Sequence, residues 1–353
     1  MTRKRWCLIA LATLLTALLA IVAAVVIVDP FEIYHRALFF SPPYESAKQM
    51  YAVAGVARSY DYDSVIIGSS VTENCTPSVY DRALGGRFVK LCMNGGLSRD
   101  HAQVMDIALR THAVRRVVYG LDLFAYAVYP TNSKADTPDY LYDDCLLNDV
   151  RYWLSGSVLL DEIPRALARP GRPDDDADRD RMYFWDPPSL PGEEALRRRV
   201  NLDAPPPGQE DAERALELTA LCLERNLLPY LRRYPETTFT VFFPPYSLLY
   251  WADAAANGSF ASAMAQKRLV IRTLLAEPNV ELYDFQAHFD WTADYSLYYD
   301  LIHYISSVND AMAGAMAGGL CRVTDMAQAE ERVAALERAV YALFAQEPER
   351  SPQ

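Results

Sequence analysis

The stretch Asp63-Ser64-Val65-Ile66-Ile67-Gly68-Ser69-Ser70 restricts the architecture of this chain more than any other. Val65, Ile66 and Ile67 form a β-branched apolar run too short for a helix, the pattern of a strand buried on both faces of a parallel sheet. Gly68 lets the backbone turn sharply, so Ser69 and Ser70 present hydroxyls at a strand's carboxyl edge, where open α/β sheets hold their chemistry. Thr76-Pro77 then opens a helix, with threonine as N-cap and proline at the first helical position. Taken alone, Gly-Ser-Ser is also an ordinary turn.

The neighbouring pattern continues the sheet. Strands expected at 63–68, 87–93 and 114–122 alternate with helices at 77–84 and 98–112, a βαβαβ series with right-handed crossovers. A helix over 212–224 leads to a strand at 237–243, closed by Pro244-Pro245. The helix 259–276 carries Phe260, Met264, Ile271, Leu274 and Leu275 on one face, and a strand at 279–285 follows. Met312, Met316 and Leu320 mark a final helix of the domain. Gly68, Asn94 to Gly96, and Gly120 to Asp122 all fall at or just past strand ends, so they can meet in one crevice. These signals run on without a break, so 353 residues read as one large domain with additions rather than two domains.

The additions lie at both ends and in the middle. Arg3-Lys4-Arg5 precedes Trp6–Val28, an uncharged run that at about 1.5 Å per residue crosses a hydrocarbon core of roughly 30 Å. The positive tip, residues 1–5, keeps to the cytoplasm, which puts the main domain outside a cell membrane on a single-pass anchor. Cleavage in the alanine-rich stretch at 20–24 is the competing outcome. Residues 29–59 read as a stalk and lead-in helix. Residues 170–211, with Asp174-Asp175-Asp176 and Pro205-Pro206-Pro207, read as an acidic, proline-rich surface insertion, either a solvated loop or a lid, with Tyr183-Phe184-Trp185 as its apolar foothold. Residues 323–353 carry an amphipathic tail helix with Val333, Leu336, Val340 and Leu343 on one side.

A net charge of −12 argues against a nucleic-acid partner, because phosphate binding needs clustered Lys and Arg. With five histidines, no His-x-x-x-His and no Cys-x-x-Cys, the sequence implies no metal and no cofactor. The six cysteines are scattered; Cys75 and Cys92 either pair or remain buried thiols.

Asp300 and His303 stand at i and i+3. On a helical turn or a tight loop, that spacing lets the carboxylate hold one imidazole nitrogen and leaves the other to accept a proton from a serine. Ser70 with Asp300-x-x-His303 resembles the SGNH/GDSL hydrolase family. Asn94-Gly95-Gly96-Leu97-Ser98 is similar to that family's second block, and Gly120-Leu121-Asp122 falls where its third carries Gly-x-Asn. Gly-x-Ser-x-Thr-Glu-Asn, Pro-Pro-Tyr-Ser and Asp-x-x-His-Tyr segments further resemble a membrane-anchored bacterial branch, the likeness covering residues 60–322.

The resemblance implies a three-layer α/β/α, flavodoxin-like domain of about five parallel strands behind one transmembrane helix. It implies that Ser70 attacks an ester carbonyl, that His303 takes its proton, and that Asp300 orients His303. The amides of Ser70 and Gly96 would hold the oxyanion, with Asn94 and Asp122 beside them. Asp122 departs from the family's asparagine, since an ionised carboxylate has no proton to donate. Tyr246, Trp251 and Tyr299 are expected on the substrate side, where flat rings stack on sugars; core filling is their commoner use. Two classes of function follow. One is a serine esterase or O-acyltransferase acting on an acylated cell-envelope glycan or polymer, with an acyl donor and a multispanning membrane acyltransferase as partners. The other is a non-catalytic envelope protein that keeps the fold for binding or assembly.

Overall fold

A computed structural model describes residues 2–42, 48–134, 137–202 and 212–346. Pro43, the triple proline at 205–207 and the tail beyond residue 346 lie outside the described residues.

The apolar runs become strands β1 (Ser64–Gly68), β2 (Phe88–Cys92), β3 (Arg116–Gly120), β4 (Thr238–Phe243) and β5 (Val280–Asp284). They form one sheet in the order β2-β1-β3-β4-β5, with every pair parallel. A sixth strand, β6 (Arg322–Val323), adds antiparallel to β5 through Leu282 and Tyr283, so the sheet exceeds the five parallel strands expected. Two residues are too short to leave an alternating pattern in a sequence. Val65, Ile66 and Ile67 are each 0% exposed, as a strand covered on both faces requires. Truncating Ile67 to alanine there costs roughly 2–5 kcal/mol.

Helices α1 (Arg3–Val28), α2 (Gln49–Ser59), α3 (Pro77–Leu84) and α4 (Ser98–Thr111) follow in chain order. α3 packs with the helix Ser306–Ala317 on one face of the sheet, while α2, α4 and the helices Glu213–Asn226 and Phe260–Leu274 pack on the other. Leu320, expected on the helix after His303, falls beyond its end and is exposed. The tail helix starts earlier than its apolar face predicts and spans Met326–Gln346. Phe260–Leu274 is bound to β5 by a buried ion pair: Lys267 Nζ lies 2.8 Å from Asp284 and from Gln286 Oε1.

α1 is long and apolar enough to cross a membrane, by length and composition. Its last turn is buried in the domain through Val25 and Val28. Asp29, in a left-handed conformation at φ 43°, turns the chain; its carboxylate accepts the amides of Ile33 (3.0 Å), Tyr34 (2.7 Å) and His35 (3.1 Å). Phe31 and Ile33 then enter the main core, and Ala37 and Phe40 pack with Val28 and Ala166. The segment expected as a stalk is therefore folded onto the domain, because its apolar side chains find partners there. Short helices α5 (Val150–Trp153) and α6 (Ile163–Leu167) lie against α1, and α7 (Asp175–Arg181) opens the expected insertion. That insertion is not all surface: Met182 and Tyr183 are buried.

Candidate active site

Ser70 begins a 3-10 turn, Ser70–Thr72, directly after β1, where the first N–H groups of a turn have no partner inside it. The turn fits because β1 and β3 both end in glycine. A Cβ on Gly68 or on Gly120 would come within 2.7 Å of Thr72 Cγ2, so the two strand ends form a notch that seats Thr72. Thr72 Oγ1 donates to Ser69 O at 2.7 Å. The carbonyl of Val71 accepts from Asn309 Nδ2 (2.7 Å) and from the Tyr304 hydroxyl (3.2 Å), which ties the serine's turn to the chain following His303.

Asp300 to His303 form a tight loop, not a helix, closed by Tyr299 N donating to His303 O at 2.9 Å. The corner after β4 fixes it: Leu301 O accepts from Ser247 N (3.1 Å) and Oγ (2.7 Å), and Tyr298 donates to Pro245 O at 2.6 Å. The outcome is a continuous chain of bonds. Ser70 Oγ lies 2.8 Å from His303 Nε2, and His303 Nδ1 lies 2.6 Å from Asp300 Oδ2. Asp300 Oδ1 also accepts the amides of Ile302 and His303 at 2.8 Å. Burial pushes the Asp300 carboxyl up, but these bonds outweigh it and hold the group below its ordinary value. An anion on Nδ1 fixes the tautomer whose Nε2 accepts, so the imidazole can take the Ser70 proton as the hydroxyl attacks an electrophile.

The opposite side differs from expectation. The Gly96 amide closes a turn by donating to Met93 O at 2.8 Å, so in this conformation it is not free to bind an oxyanion. Asn94 is exposed, its amide bonded to Gln49 Oε1 at 2.6 Å. Asp122, two residues past the end of β3, accepts the Tyr246 hydroxyl on Oδ1; Oδ2 is buried without a hydrogen-bond partner. Burial raises the Asp122 carboxyl to about 6, against the pull of the Ser69 and Tyr246 hydroxyls and of His303. A carboxyl in that range is half protonated in mildly acidic solution, and its neutral form can donate a hydrogen bond.

Two of the three expected stacking platforms are closed off. Tyr246 and Trp251 are each 2% exposed, packed against one another and around Tyr250 and Phe260, so neither offers a face to a ligand. Tyr299 is partly exposed and donates to Asp186. In their place the structure brings Trp185 to the site: its ring stands edge-on to His303, centroids 5.1 Å apart, and its amide donates to Asn74 Oδ1 at 3.0 Å. Asp186 also accepts from Ser306 Oγ at 2.6 Å. The aromatic triplet within a polar stretch was the only sequence signal for this contact. Glu73 left none. It is 0% exposed, both carboxylate oxygens lack a partner of hydrogen-bond geometry, and burial raises it to about 7, although Gln49, Trp185, His303 and Lys90 pull it down. All six cysteines are free, Cys75 and Cys92 as buried thiols. Among the described residues, no cluster of side chains suits a metal ion.

No family model matches the chain, and no curated protein matches it. Among solved structures, it is similar to a Streptococcus pneumonia protein whose description names a platelet activating factor, at 13% identity and a TM-score of 0.40, covering 77% of this chain and 90% of that one. A likeness at that score assigns neither a family nor an activity; the chain stands as an α/β protein with a six-stranded, mostly parallel sheet behind one apolar helix.

Proposed function

We propose that this protein is a serine esterase or O-acyltransferase of SGNH type, working through a Ser70 acyl-enzyme. The observation that carries the reading is the unbroken relay of 2.8 Å and 2.6 Å from Ser70 through His303 to Asp300. In the first step Ser70 Oγ bonds to the acyl carbon, its proton passes to His303 Nε2, and the ester's alcohol leaves with that proton. Water or an acceptor hydroxyl then takes the acyl group by the reverse path. α1 is long and apolar enough to cross a membrane, and with its basic end inside it would hold the domain outside; that arrangement would suit an acylated envelope glycan or polymer as substrate and a multispanning acyltransferase as a neighbour supplying acyl groups.

The competing reading, a binding or assembly protein without catalysis, draws on Asp122 and on the engaged Gly96 amide, which leave Ser70's own amide as the one oxyanion donor assigned by the expected motif. A fluorophosphonate probe separates the two. Wild type should be labelled and Ser70→Ala should not, with both proteins unfolding at the same temperature. A folded wild type that resists the probe would leave only the binding reading.

A further inference from the structure

Among the described residues, half of the large apolar side chains exposed outside α1 belong to just two segments: Leu38 and Phe39, and the stretch 146–167 with Leu146, Leu147, Leu160 and Leu167 among them. These segments lie together beside the end of α1. α5 and α6 contact α1, and Ala166 of α6 packs with Val28, Ala37 and Phe40, with Ile163 against them. Leu160, Ile163 and Leu167 are spaced i, i+3 and i+7, so the two exposed leucines flank the residue that meets α1's last turn. In chain order the same stretch carries exposed Arg151 and Arg165, with a single exposed acid between them, Asp161.

The height of this face follows from α1. Val25 and Val28 are buried by the domain, whereas Trp6, Leu8, Leu14 and Leu19 are bare. The uncharged part of the helix, from Trp6 to Ala24, spans about 28 Å at 1.5 Å per residue, close to the roughly 30 Å of a hydrocarbon core. The turn to which α6 is attached therefore stands at the edge of that core. Apolar side chains with neighbouring arginines at this depth are what a bilayer interface receives, buried by about 5–10 Å at the boundary of head groups and acyl chains.

We propose that the face formed by residues 38–39 and 146–167 is inserted in the bilayer interface, so that the domain rests on the membrane its helix crosses. The proposal depends on α1 crossing that membrane. Continuity of the face with the bare part of α1 selects lipid as its occupant. The face connects to the surroundings of the candidate site: Glu162 on this stretch pairs with Lys48 at 2.9 Å, and the residue after Lys48, Gln49, accepts from the Asn94 amide and lies beside Glu73.

The test uses the full chain with its two exposed cysteines replaced (Cys7→Ser, Cys145→Ser), reconstituted in vesicles of equal parts phosphatidylcholine and phosphatidylglycerol. An environment-sensitive fluorophore is attached through Leu147→Cys, Leu160→Cys or Leu167→Cys, through Leu15→Cys within α1, or through Leu320→Cys near β6, at the opposite edge of the sheet from β2. The expected result is that labels at 147, 160 and 167 are quenched severalfold by a lipid nitroxide near the head group and shielded from aqueous iodide. The label at 320 should show the reverse. If the label at 15 is quenched by a mid-chain nitroxide while 147, 160 and 167 stay open to iodide, the helix crosses and the proposal is overturned, including the case in which those positions become shielded only on adding other membrane proteins. If the label at 15 is also open to iodide, the crossing itself fails and takes the proposal with it.

Discussion

Asp300 and Asp122 are both carboxyl groups within electrostatic reach of His303, yet their surroundings differ. The Asp300 side chain is 35% exposed, receives the imidazole and two backbone amides, and is held below its ordinary value. Asp122 is 1% exposed, has one hydroxyl bonded to it, and rises to about 6. Glu73, buried with neither oxygen bonded, rises to about 7. Ionisation around this histidine is thus set first by burial, which raises all three carboxyls, and then by whether the imidazole and backbone N–H groups are aimed at the carboxyl to offset it, as they are at Asp300 alone. One side of the site holds a fixed anion, and the other holds two groups that change charge close to neutral pH.

The largest test removes the fixed side. Ser70→Ala or His303→Ala should lower acyl transfer by more than about a thousandfold, because a nucleophile and its base act as a unit. Single-turnover kinetics on a small acetyl ester would measure this, and wild-type turnover in either variant would break the assignment.

The next test turns the other side into a permanent donor. In Asp122→Asn, Oδ1 can still accept the Tyr246 hydroxyl, and an N–H replaces the unpartnered Oδ2. One oxyanion donor is worth about 2.7–4 kcal/mol, so kcat/KM should rise by up to a hundredfold or more where wild-type Asp122 is ionised. That regime is above pH 6. Toward pH 5 the wild-type carboxyl is protonated, and the two proteins should converge. Wild-type activity that is high and falls at every pH in Asp122→Asn would assign the aspartate a helping role instead.

Glu73→Gln addresses stability. The folded-state value lies above the unfolded one, so the folded state binds the extra proton, and wild-type stability falls as pH rises from 4.5 to about 7. The glutamine variant lacks that slope and should be the more stable by about 3 kcal/mol above pH 7. Urea unfolding between pH 4 and 8 measures it; parallel curves would show that Glu73 is not buried as an acid. Ser69→Ala should have the smallest effect. Ser69 is 2% exposed and pulls the Asp122 carboxyl down, so its loss should move the pH at which wild type and Asp122→Asn diverge upward while leaving the plateau rates within a few fold. An unchanged divergence pH would remove Ser69 from the Asp122 environment.

What the sequence made legible were features built from neighbours in the chain. Val65 to Gly68 announced β1 through β-branching and a glycine, and Asp300-x-x-His303 announced the loop through its spacing. Features built across the chain were not legible. Nothing local distinguishes a glutamate that will be sealed beneath Trp185 from one in water. Nor does Asn94-Gly95-Gly96 say which way the Gly96 amide points, since a Gly95 at φ 61° permits a turn that spends it on Met93. Tyr246 and Trp251 read as ligand platforms because amphipathic rings serve both uses, and their burial is decided by the helices Leu248–Ala256 and Phe260–Leu274 closing over them.

The turn at Asp29 also sets how such a protein would meet its substrate. Three amides gathered on one carboxylate, with Val25 and Val28 buried against the domain, make the joint a folded turn rather than a loose tether. A leashed enzyme sweeps a hemisphere of solution. With the proposed activity, and with α1 across a membrane, this one would search a plane, carried by lateral diffusion, with Ser70 at a constant elevation and tilt. Encounter rates would then follow the surface density of the substrate rather than its bulk concentration, and lengthening the joint with a few glycines would change which polymers are reached without altering any atom of the relay.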